Sequence, residues 1–257
     1  MSASNTTFSG GFLLDSLRRL PTPQCYWAGF SGGADSTALL QALNECREEL
    51  AAPIQALHFH HGLQVAASDW QVHCEAFCRE RNIPFQAIEL EIKAGRGANL
   101  EEESRNARYR WVGRIMDEGD VYLTAHHAED QAETLLLNLM RGSGIEGLAG
   151  IPVLRNLDRG WVARPLLDVH RHELVEFLEQ RGIGWLDDPS NEDSAFDRNF
   201  IRHELVPLME KRWPVVSNRL ARTARNARVA SNAMAAFIEN QSGDLLQDRI
   251  KMPVVKL

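Results

Sequence analysis

Cysteine is scarce in this chain, and the cysteines that occur do not form a metal or redox motif. The 257 residues include Cys25, Cys46, Cys74 and Cys78, and none of these forms a C-x-x-C pair. Cys74 and Cys78 are one helical turn apart, a spacing that favours a place in the core over a metal site or a disulfide. The sequence therefore disfavours a cysteine-bound metal centre or a disulfide scaffold.

Long apolar runs are also lacking. No stretch is long enough to span a bilayer, and the apolar residues 12–14 are too few for a secretion signal and follow no basic segment. We therefore expect a cytoplasmic protein without a membrane partner. The length suits one larger domain plus a small one.

The chain as a whole carries no excess of positive charge. Its net charge of −7 argues against a protein coated by nucleic acid. Residues 197–228 nevertheless carry eight Lys or Arg against three Asp or Glu. Most of these basic residues recur at roughly helical intervals, which predicts a stripe able to follow an RNA backbone. The stripe consists of Lys211, Arg212, Arg219, Arg222, Arg225 and Arg228. A solvated helix face is the alternative interpretation.

A glycine-rich segment with the sequence SGGADS, residues 31–36, lies between an apolar run and a helical pattern. A strand that leads through such a turn into a helix directs several backbone N–H groups at one point, which suits a phosphate. The glycines allow close approach, the serines add hydroxyl donors, and Asp35 is placed to hold Mg²⁺. We therefore predict an ATP site that consists of Ser31, Gly32, Gly33, Ala34, Asp35 and Ser36.

Two observations limit this interpretation. The segment lacks the Gly-Lys-Ser/Thr ending of a Walker A loop, which disfavours γ-phosphate transfer of that type. The glycines could also merely turn a strand into a helix that Asp35 or Ser36 caps.

Short β-rich runs alternate with helical patterns along the first half of the chain, at residues 25–30, 54–60, 85–90 and 121–125. This alternation predicts an α/β fold with a doubly wound, mainly parallel sheet. Ligands of such sheets bind at the carboxyl ends of the strands. Polar clusters follow three of these runs: residues 31–36, the histidines at positions 58, 60 and 61, and His126 with His127.

The second half of the chain is predicted in less detail. The glycine-rich residues 141–150 suggest a binding loop, and residues 151–154 and 161–163 suggest a hairpin. An amphipathic helix is expected over residues 170–181 and a polar loop over 187–197. From residue 200 onward the pattern is helical, with breaks at Pro207 and Pro214.

Asp130 and Glu133 lie three residues apart at the start of a predicted helix, so both carboxylates share one face. They suit a cationic ligand, but acids at a helix start also compensate the helix dipole. The adjacent His126 and His127 do not have the spacing of a zinc site.

Residues 31–36 resemble the PP-loop of the N-type ATP pyrophosphatases, which cleave ATP between the α and β phosphates. Residues 123–152, LTAHHAEDQAETLLLNLMRGSGIEGLAGIP, resemble the signature region of one family in that group, the tRNA(Ile)-lysidine synthases. Glu129 departs from the pattern, because the family commonly has an aspartate there. Further similarities, within a match over about residues 28–208, are residues 60–63 (HHGL), the helix with Glu102, Arg105, Arg108 and Tyr109, residues 164–167 (RPLL), 188–191 (DPSN) and 197–202 (DRNFIR).

The resemblance implies a defined reaction and defined partners. ATP adenylates the wobble cytidine of an isoleucine tRNA with a CAU anticodon, and free L-lysine then displaces AMP at C2 to form lysidine. It implies ATP and Mg²⁺ as cofactors, with the metal on Asp35 and with His60 beside the ATP. The implied catalytic residues are Asp35, Asp130, Glu133 and Arg198, the last three of them binding lysine. Arg108 and Arg202 are predicted to contact phosphates of tRNA or ATP, with surface ion pairs as the alternative, and Arg222 and Arg225 of the basic stripe are the other predicted tRNA contacts.

The predicted organisation is a PP-loop catalytic domain over residues 1–210 and a helical segment over 211–257, a short or truncated tRNA-binding domain. Two other functions stay open: a PP-loop tRNA thiolase, and a noncatalytic RNA-binding protein on the same fold. A thiolase generally needs reactive cysteines or a cysteine-bound cluster, for which the sequence offers no strand-end candidate. The oligomeric state is open, with a homodimer as one alternative.

Overall fold

The computed structural model of the protein describes residues 7–60, 66–90, 100–187 and 197–248. Three predicted features therefore lie wholly or partly outside the described residues: positions 61–63 of the HHGL motif, the DPSN motif, and most of the polar loop over 187–197. The described residues group into two compact units. Unit 1 comprises residues 1–130 and 152–193, and unit 2 comprises residues 131–151 and 194–257.

Unit 1 is built on a six-stranded sheet with the order β3-β2-β1-β4-β6-β5. The first five strands in this order are parallel to their neighbours, and only the edge strand β5 is antiparallel. The strands are β1 (Tyr26–Gly29), β2 (Ile54–His60), β3 (Phe85–Glu89), β4 (Val121–Leu123), β5 (Leu154–Leu157) and β6 (Gly160–Ala163). The chain leaves β1 toward one side and later returns as β4 on the other, so the β1/β4 pair is the switch point where ligands of such sheets bind.

Helices cover both faces of this sheet. The helices of unit 1 are α1 (Gly10–Leu17), α2 (Ala34–Glu45), α3 (Ala66–Glu80), α4 (Leu100–Ile115), the start of α5 (Ala128–Met140), and α7 (Arg171–Glu179). Alternate residues of β1 belong to two cores: Tyr26 and Ala28 pack with α1, α2 and α7, whereas Trp27 packs with α4. The central strand is apolar throughout because both of its faces are covered.

Unit 2 is helical. Beyond the remainder of α5, it contains α6 (Ile145–Leu148), α8 (Asp197–Phe200), α9 (Val206–Arg212) and α10 (Val216–Asp248), with a π-helical segment, Ile201–Leu205, between α8 and α9. Helix α10 lies against α6 through Ala221 and Ala224, which are almost fully buried. Gly150 has φ +61°, and a side chain there would also meet Ala224. The glycine-rich residues 141–150 are thus folded against a helix.

The predicted α/β fold with a mainly parallel sheet and a helical C-terminal segment is confirmed. The strand over residues 54–60 has the predicted bounds, and the hairpin forms, although its turn falls at Asp158 and Arg159. The predicted break at Pro207 is wrong. That proline lies in the first turn of α9, directly after the π-helical segment Ile201–Leu205, so the helical run continues through it. The break at Pro214 is confirmed.

No helix within the described residues is long and apolar enough to cross a membrane.

Candidate active site

The SGGADS segment forms a compact turn between β1 and α2. The hydroxyl of Ser36 donates to the carbonyl of Gly33 at 3.0 Å and accepts the backbone N–H of Ser31 at 3.2 Å. The hydroxyls of Ser31 and Ser36 are 3.1 Å apart. Gly33 is the N-cap of α2, and no side chain caps this helix end. The first N–H groups of α2 are therefore directed at space that a phosphate can occupy.

Gly32 is required by both its conformation and its surroundings. Its φ of +85° lies in the left-handed region, which side chains disfavour. A Cβ at this position would lie 3.0 Å from Sγ of the buried Cys74, and the carbonyl of Gly32 accepts the N–H of Leu186 at 2.9 Å. The turn therefore contacts α3 and is hydrogen-bonded to the segment that follows α7.

Asp35, in the first turn of α2, has an oxygen available for a cation. Its Oδ1 is buried and has no hydrogen-bond partner. The nearest cationic atoms are Nε of Arg171, 3.6 Å from Oδ1, and Nε2 of His127, 3.6 Å from Oδ2. A carboxylate oxygen without a hydrogen bond from the described residues, beside the SGGADS turn, fits the oxygen ligands that Mg²⁺ prefers.

His127 lies at the centre of an acidic cluster just beyond β4. Its Nδ1 donates to Glu129 at 2.9 Å, and its Nε2 is 3.5 Å from Oδ2 of Asp130. Burial alone would lower the pKa of this imidazole, but the carboxylates of Asp130, Asp35 and Glu129 raise it to about 10. His127 is therefore a buried cation that holds three acids together.

Glu129 joins the start of α5 to the start of α7. Its carboxylate accepts from Nδ1 of His127 and Nδ1 of His170, each at 2.9 Å, and from the backbone N–H of Arg171 at 3.0 Å. Burial opposes ionisation, but these donors lower the pKa of Glu129 well below its usual range. The extra methylene relative to aspartate lets one side chain reach partners on both helices.

Asp130 has a structural task in addition to its predicted one. Its Oδ2 accepts the backbone N–H of His127 at 2.9 Å, which is the bond that the third residue of a helix makes back to the N-cap. Asp130 is only 9% exposed. The structure thus places this carboxylate beside Asp35 and His127 at the carboxyl edge of the sheet.

The histidines that end β2 contribute to the same edge. Nδ1–H of His58 donates to the carbonyl of Phe30 at 2.8 Å, which joins the ends of β2 and β1. Burial lowers the pKa of His58, so its ring stays neutral. The partly exposed His60 stacks on this ring with centroids 6.2 Å apart. His60 is therefore at the predicted edge.

In unit 2, Glu133 is enclosed by two predicted site residues. Nε of Arg198 donates to Oε2 of Glu133 at 2.9 Å, and Arg202 donates to both oxygens at 2.7 and 3.0 Å. Arg198 also donates to the hydroxyl of Thr134 at 3.1 Å. The side chain of Glu133 is 3% exposed, so this is a nearly buried ion pair that fixes both guanidinium groups.

Only some side chains of the basic stripe on α9 and α10 are exposed to solvent. Arg222 and Arg225 are exposed, as are Lys211, Arg212 and Arg219. Arg228 instead donates to the carbonyls of Ala149 and Gly150 at 3.1 and 2.8 Å, where it caps the end of α6. Arg108, the remaining predicted tRNA contact, lies on α4 of unit 1.

Sequence reasoning gave no role to His170 or Arg171, and considered His127 only as a weak metal ligand. His170 precedes an amphipathic helix and Glu173, which indicates a helix start, but its bond to Glu129 spans 41 residues. No local pattern carries that information. The four cysteines are all buried, and burial raises the pKa of Cys25 and Cys46 to about 11 and of Cys74 and Cys78 to about 12.

Comparisons with known proteins agree with this geometry. Residues 13–209 match the PP-loop domain family. The chain is 44% identical to the tRNA(Ile)-lysidine synthase of Pseudomonas syringae pv. tomato over 82% of its own length and 47% of that protein. It is 34% identical to the tRNA(Ile)-lysidine synthase of Coxiella burnetii over 95% of its own length and 54% of that protein. The chain thus spans about half the length of the curated relatives that it matches.

Among solved structures, the fold is similar to that of the U34-tRNA thiolase NcsA from Methanococcus maripaludis, which carries a [4Fe-4S] cluster. The TM-score is 0.68 at 17% identity, over 84% of this chain and 77% of that one. At this identity the likeness concerns the fold alone. With the SGGADS turn, the sheet order and the family match in agreement, the chain belongs to the PP-loop family.

Proposed function

We propose that this chain is the ATP-using part of a tRNA(Ile)-lysidine synthase. In this proposal O2 of the wobble cytidine of a CAU-anticodon isoleucine tRNA attacks the α-phosphorus of ATP and expels pyrophosphate. The ε-amine of free lysine then attacks C2, AMP leaves, and lysidine forms. The observation that carries the proposal is the 34–44% identity to curated enzymes of that name over most of this chain.

The geometry of unit 1 supports the first step. The open N-terminus of α2 and the hydroxyls of Ser31 and Ser36 suit the phosphates of ATP. Asp35 would hold Mg²⁺, which when bound neutralises charge on the phosphates. Arg171 lies 3.6 Å from the same carboxylate and adds a positive charge at this edge. Positioning and charge neutralisation are the main demands of such a transfer.

The second step needs a site for free lysine, which carries two ammonium groups and one carboxylate, and whose ε-ammonium must lose a proton before it can attack. Asp130, buried at the carboxyl edge and adjacent to Asp35 through His127, suits an ammonium group of lysine. Glu133 stays a predicted lysine ligand, but a lysine ammonium would have to compete there with two guanidinium groups. Arg198, held in place by Glu133, suits the lysine carboxylate.

A thiolase is supported less well. Such an enzyme needs a thiolate or a cysteine-bound cluster, and each of the four thiols here is buried with a raised pKa.

The proposal is tested by incubating the protein with ATP, Mg²⁺, lysine and a CAU-anticodon isoleucine tRNA. We expect AMP and pyrophosphate, with AMP release that requires both tRNA and lysine. Sulfur incorporation from a donor without lysine dependence would favour the thiolase, and RNA binding without ATP cleavage would favour a noncatalytic role. Formation of ADP and orthophosphate would contradict a PP-loop reaction.

The variant Asp130→Asn tests the lysine assignment. An asparagine oxygen can still accept the N–H of His127, so the helix start is kept while the charge is lost. A hydrogen bond to a charged group contributes about 1.5–3 kcal/mol, so the KM for lysine should rise roughly 10- to 100-fold. ATP affinity, measured by calorimetry, should change little.

Asp117→Asn is the matched control, because Asp117 is an exposed aspartate at the opposite end of the sheet. If Asp130→Asn binds lysine normally and loses ATP, the carboxylate belongs to the metal site instead.

The pair Arg222→Ala and Arg225→Ala tests the stripe on α10. Each phosphate contact contributes about −0.9 to the salt dependence of binding on duplex RNA and about −0.7 on a single strand, by analogy with DNA. The double variant should therefore weaken tRNA binding and flatten the slope of log K against log salt by roughly one to two. The selection of the wobble base should not change, because phosphate contacts position the RNA on the protein and do not distinguish one base from another.

The matched control replaces Arg18 and Arg19, which follow α1 at the opposite end of the sheet. If the α10 variant keeps the parent's affinity and slope, the stripe is a solvated face.

A further inference from the structure

Unit 1 contains a second cationic cluster, on the α4 face of the sheet, in which only Arg108 has been given a role above, as a predicted tRNA contact. It consists of Arg164, directly after β6, Tyr109 and Arg108 on α4, and Arg155 on β5. Arg164 is 5% exposed. Its Nη1 donates to the carbonyl of Pro152 at 2.9 Å, and its Nη2 donates to the hydroxyl of Tyr109 at 3.1 Å.

Two donors of this cluster are unused. Nε of Arg164 and Nε of Arg108 are both buried, and neither has a hydrogen-bond partner. The guanidinium of Arg155 lies 4.7 Å above the ring of Tyr109. In the ranges that the structure describes, none of these three arginines takes part in an ion pair.

A buried guanidinium without a carboxylate is costly. Removing such a cation from water costs several kcal/mol unless an opposite charge offsets it, and the cluster offers only neutral acceptors. Tyr122, on the neighbouring strand β4, does not supply that charge, because burial raises its pKa to about 12. Among the described residues no carboxylate offsets this charge, and a bound anion would supply it.

The position of the cluster indicates which ligand. Arg164 follows the last residue of β6, which pairs with Leu123 at the end of β4, so it lies at the carboxyl edge where the SGGADS turn also lies. Gly29, near the end of β1, leaves space for the hydroxyl of Tyr122, since a Cβ there would come within 2.5 Å of it. Nucleotide and RNA are the anions expected at this edge, and a planar guanidinium matches their phosphate groups.

We propose that Arg164, with Arg108 and Arg155 beside it, forms a second phosphate-binding site, separate from the SGGADS turn and on the opposite face of the sheet. The inference rests on the proposed function only for the source of the phosphate, which is the RNA backbone or the nucleotide.

Binding of inorganic phosphate tests the site without any assumption about the reaction. In protein labelled with ¹⁵N-arginine, the Nε–H resonance of Arg164 is assigned by its loss in Arg164→Lys. Titration with phosphate, against chloride at equal ionic strength, should shift this resonance, because a new acceptor reaches an N–H that has none. An unmoved Nε–H resonance would overturn the proposal, whatever reaction the protein catalyses.

Two binding measurements then identify the source. Arg164→Lys keeps the charge but loses the planar fork, and Arg155→Ala removes an exposed guanidinium without touching the core. If the phosphate belongs to RNA, each variant should weaken binding of an anticodon stem-loop, and Arg155→Ala should lower the salt slope by about 0.7–0.9. If it belongs to ATP, the same variants should weaken ATP binding and leave RNA binding unchanged.

Arg159→Ala serves as the control, because this exposed arginine lies at the opposite end of the β5–β6 hairpin. Binding is measured at a temperature well below the unfolding midpoint of each variant. This is necessary because Arg164 also donates to the carbonyl of Pro152, so that its replacement lowers stability. A resonance shift with no change in either RNA or ATP affinity would show an anion site that neither substrate uses, and would overturn the assignment.

Discussion

Replacing Asp35 by alanine should lower the rate of tRNA-dependent AMP formation by about 10²–10³, the usual effect of losing one preorganised charge-stabilising group. The reason is the buried Oδ1 of Asp35, in the first turn of α2, which accepts no hydrogen bond from the residues that the structure describes. Without this oxygen the predicted Mg²⁺ loses its protein ligand. The rate is measured under single-turnover conditions, and Mg²⁺ dependence is measured alongside it.

Two further variants make this test specific. Asp35→Asn keeps the shape and removes the charge, so it should lose nearly as much activity and should need more Mg²⁺. Asp15→Ala removes an exposed carboxylate on α1 and should leave the rate unchanged. Unimpaired turnover by Asp35→Ala would show that the metal, or the stabilising charge, is held elsewhere.

Removing the Asp35 carboxylate should not destabilise the acidic cluster around His127. His127 keeps Glu129 and Asp130 as partners when Asp35 is removed, so its charge stays compensated. A large drop in the unfolding midpoint of Asp35→Ala would therefore indicate a structural role for this residue rather than a role at a phosphate.

The parts of this site that local sequence encodes were predictable. A glycine with φ +85° between a strand and a helix, and two hydroxyls five residues apart, are properties of one short segment. The alternation of strands and helices also fixes which loops meet at one edge of a parallel sheet. For that reason the turn, the histidines at the end of β2 and those after β4 could be placed together.

The parts that depend on distant residues were not predictable. Glu129 bonds to His170 across 41 positions, and Glu133 to Arg198 and Arg202 across 65 and 69. Helical spacing shows that Asp130 and Glu133 share a face, but it does not show what each carboxylate contacts. Arg228 likewise has the spacing of a surface stripe, and only the packing of α6 against α10 shows that it caps a helix.

Glu133→Gln should destabilise unit 2 because it removes the negative charge that Arg198 and Arg202 both contact at 2.7–3.0 Å. Loss of one partner from a buried pair costs roughly 3–5 kcal/mol, and the lower end is expected here because both arginines are partly exposed. Helix α8 and the π-helical segment, which carry the arginines, should then open more often.

Peptide-level hydrogen exchange measures this directly. Amides of residues 197–212 should exchange faster in Glu133→Gln, while those of β1 and α2 should be unchanged. Glu239→Gln is the matched control, because it makes the same chemical change at an exposed position on α10. If Glu133 acts mainly as a lysine ligand, exchange should stay at the parent's rate and only the KM for lysine should rise. Faster exchange together with a weakened lysine site would instead mean that Glu133 acts through Arg198, as a positioning residue.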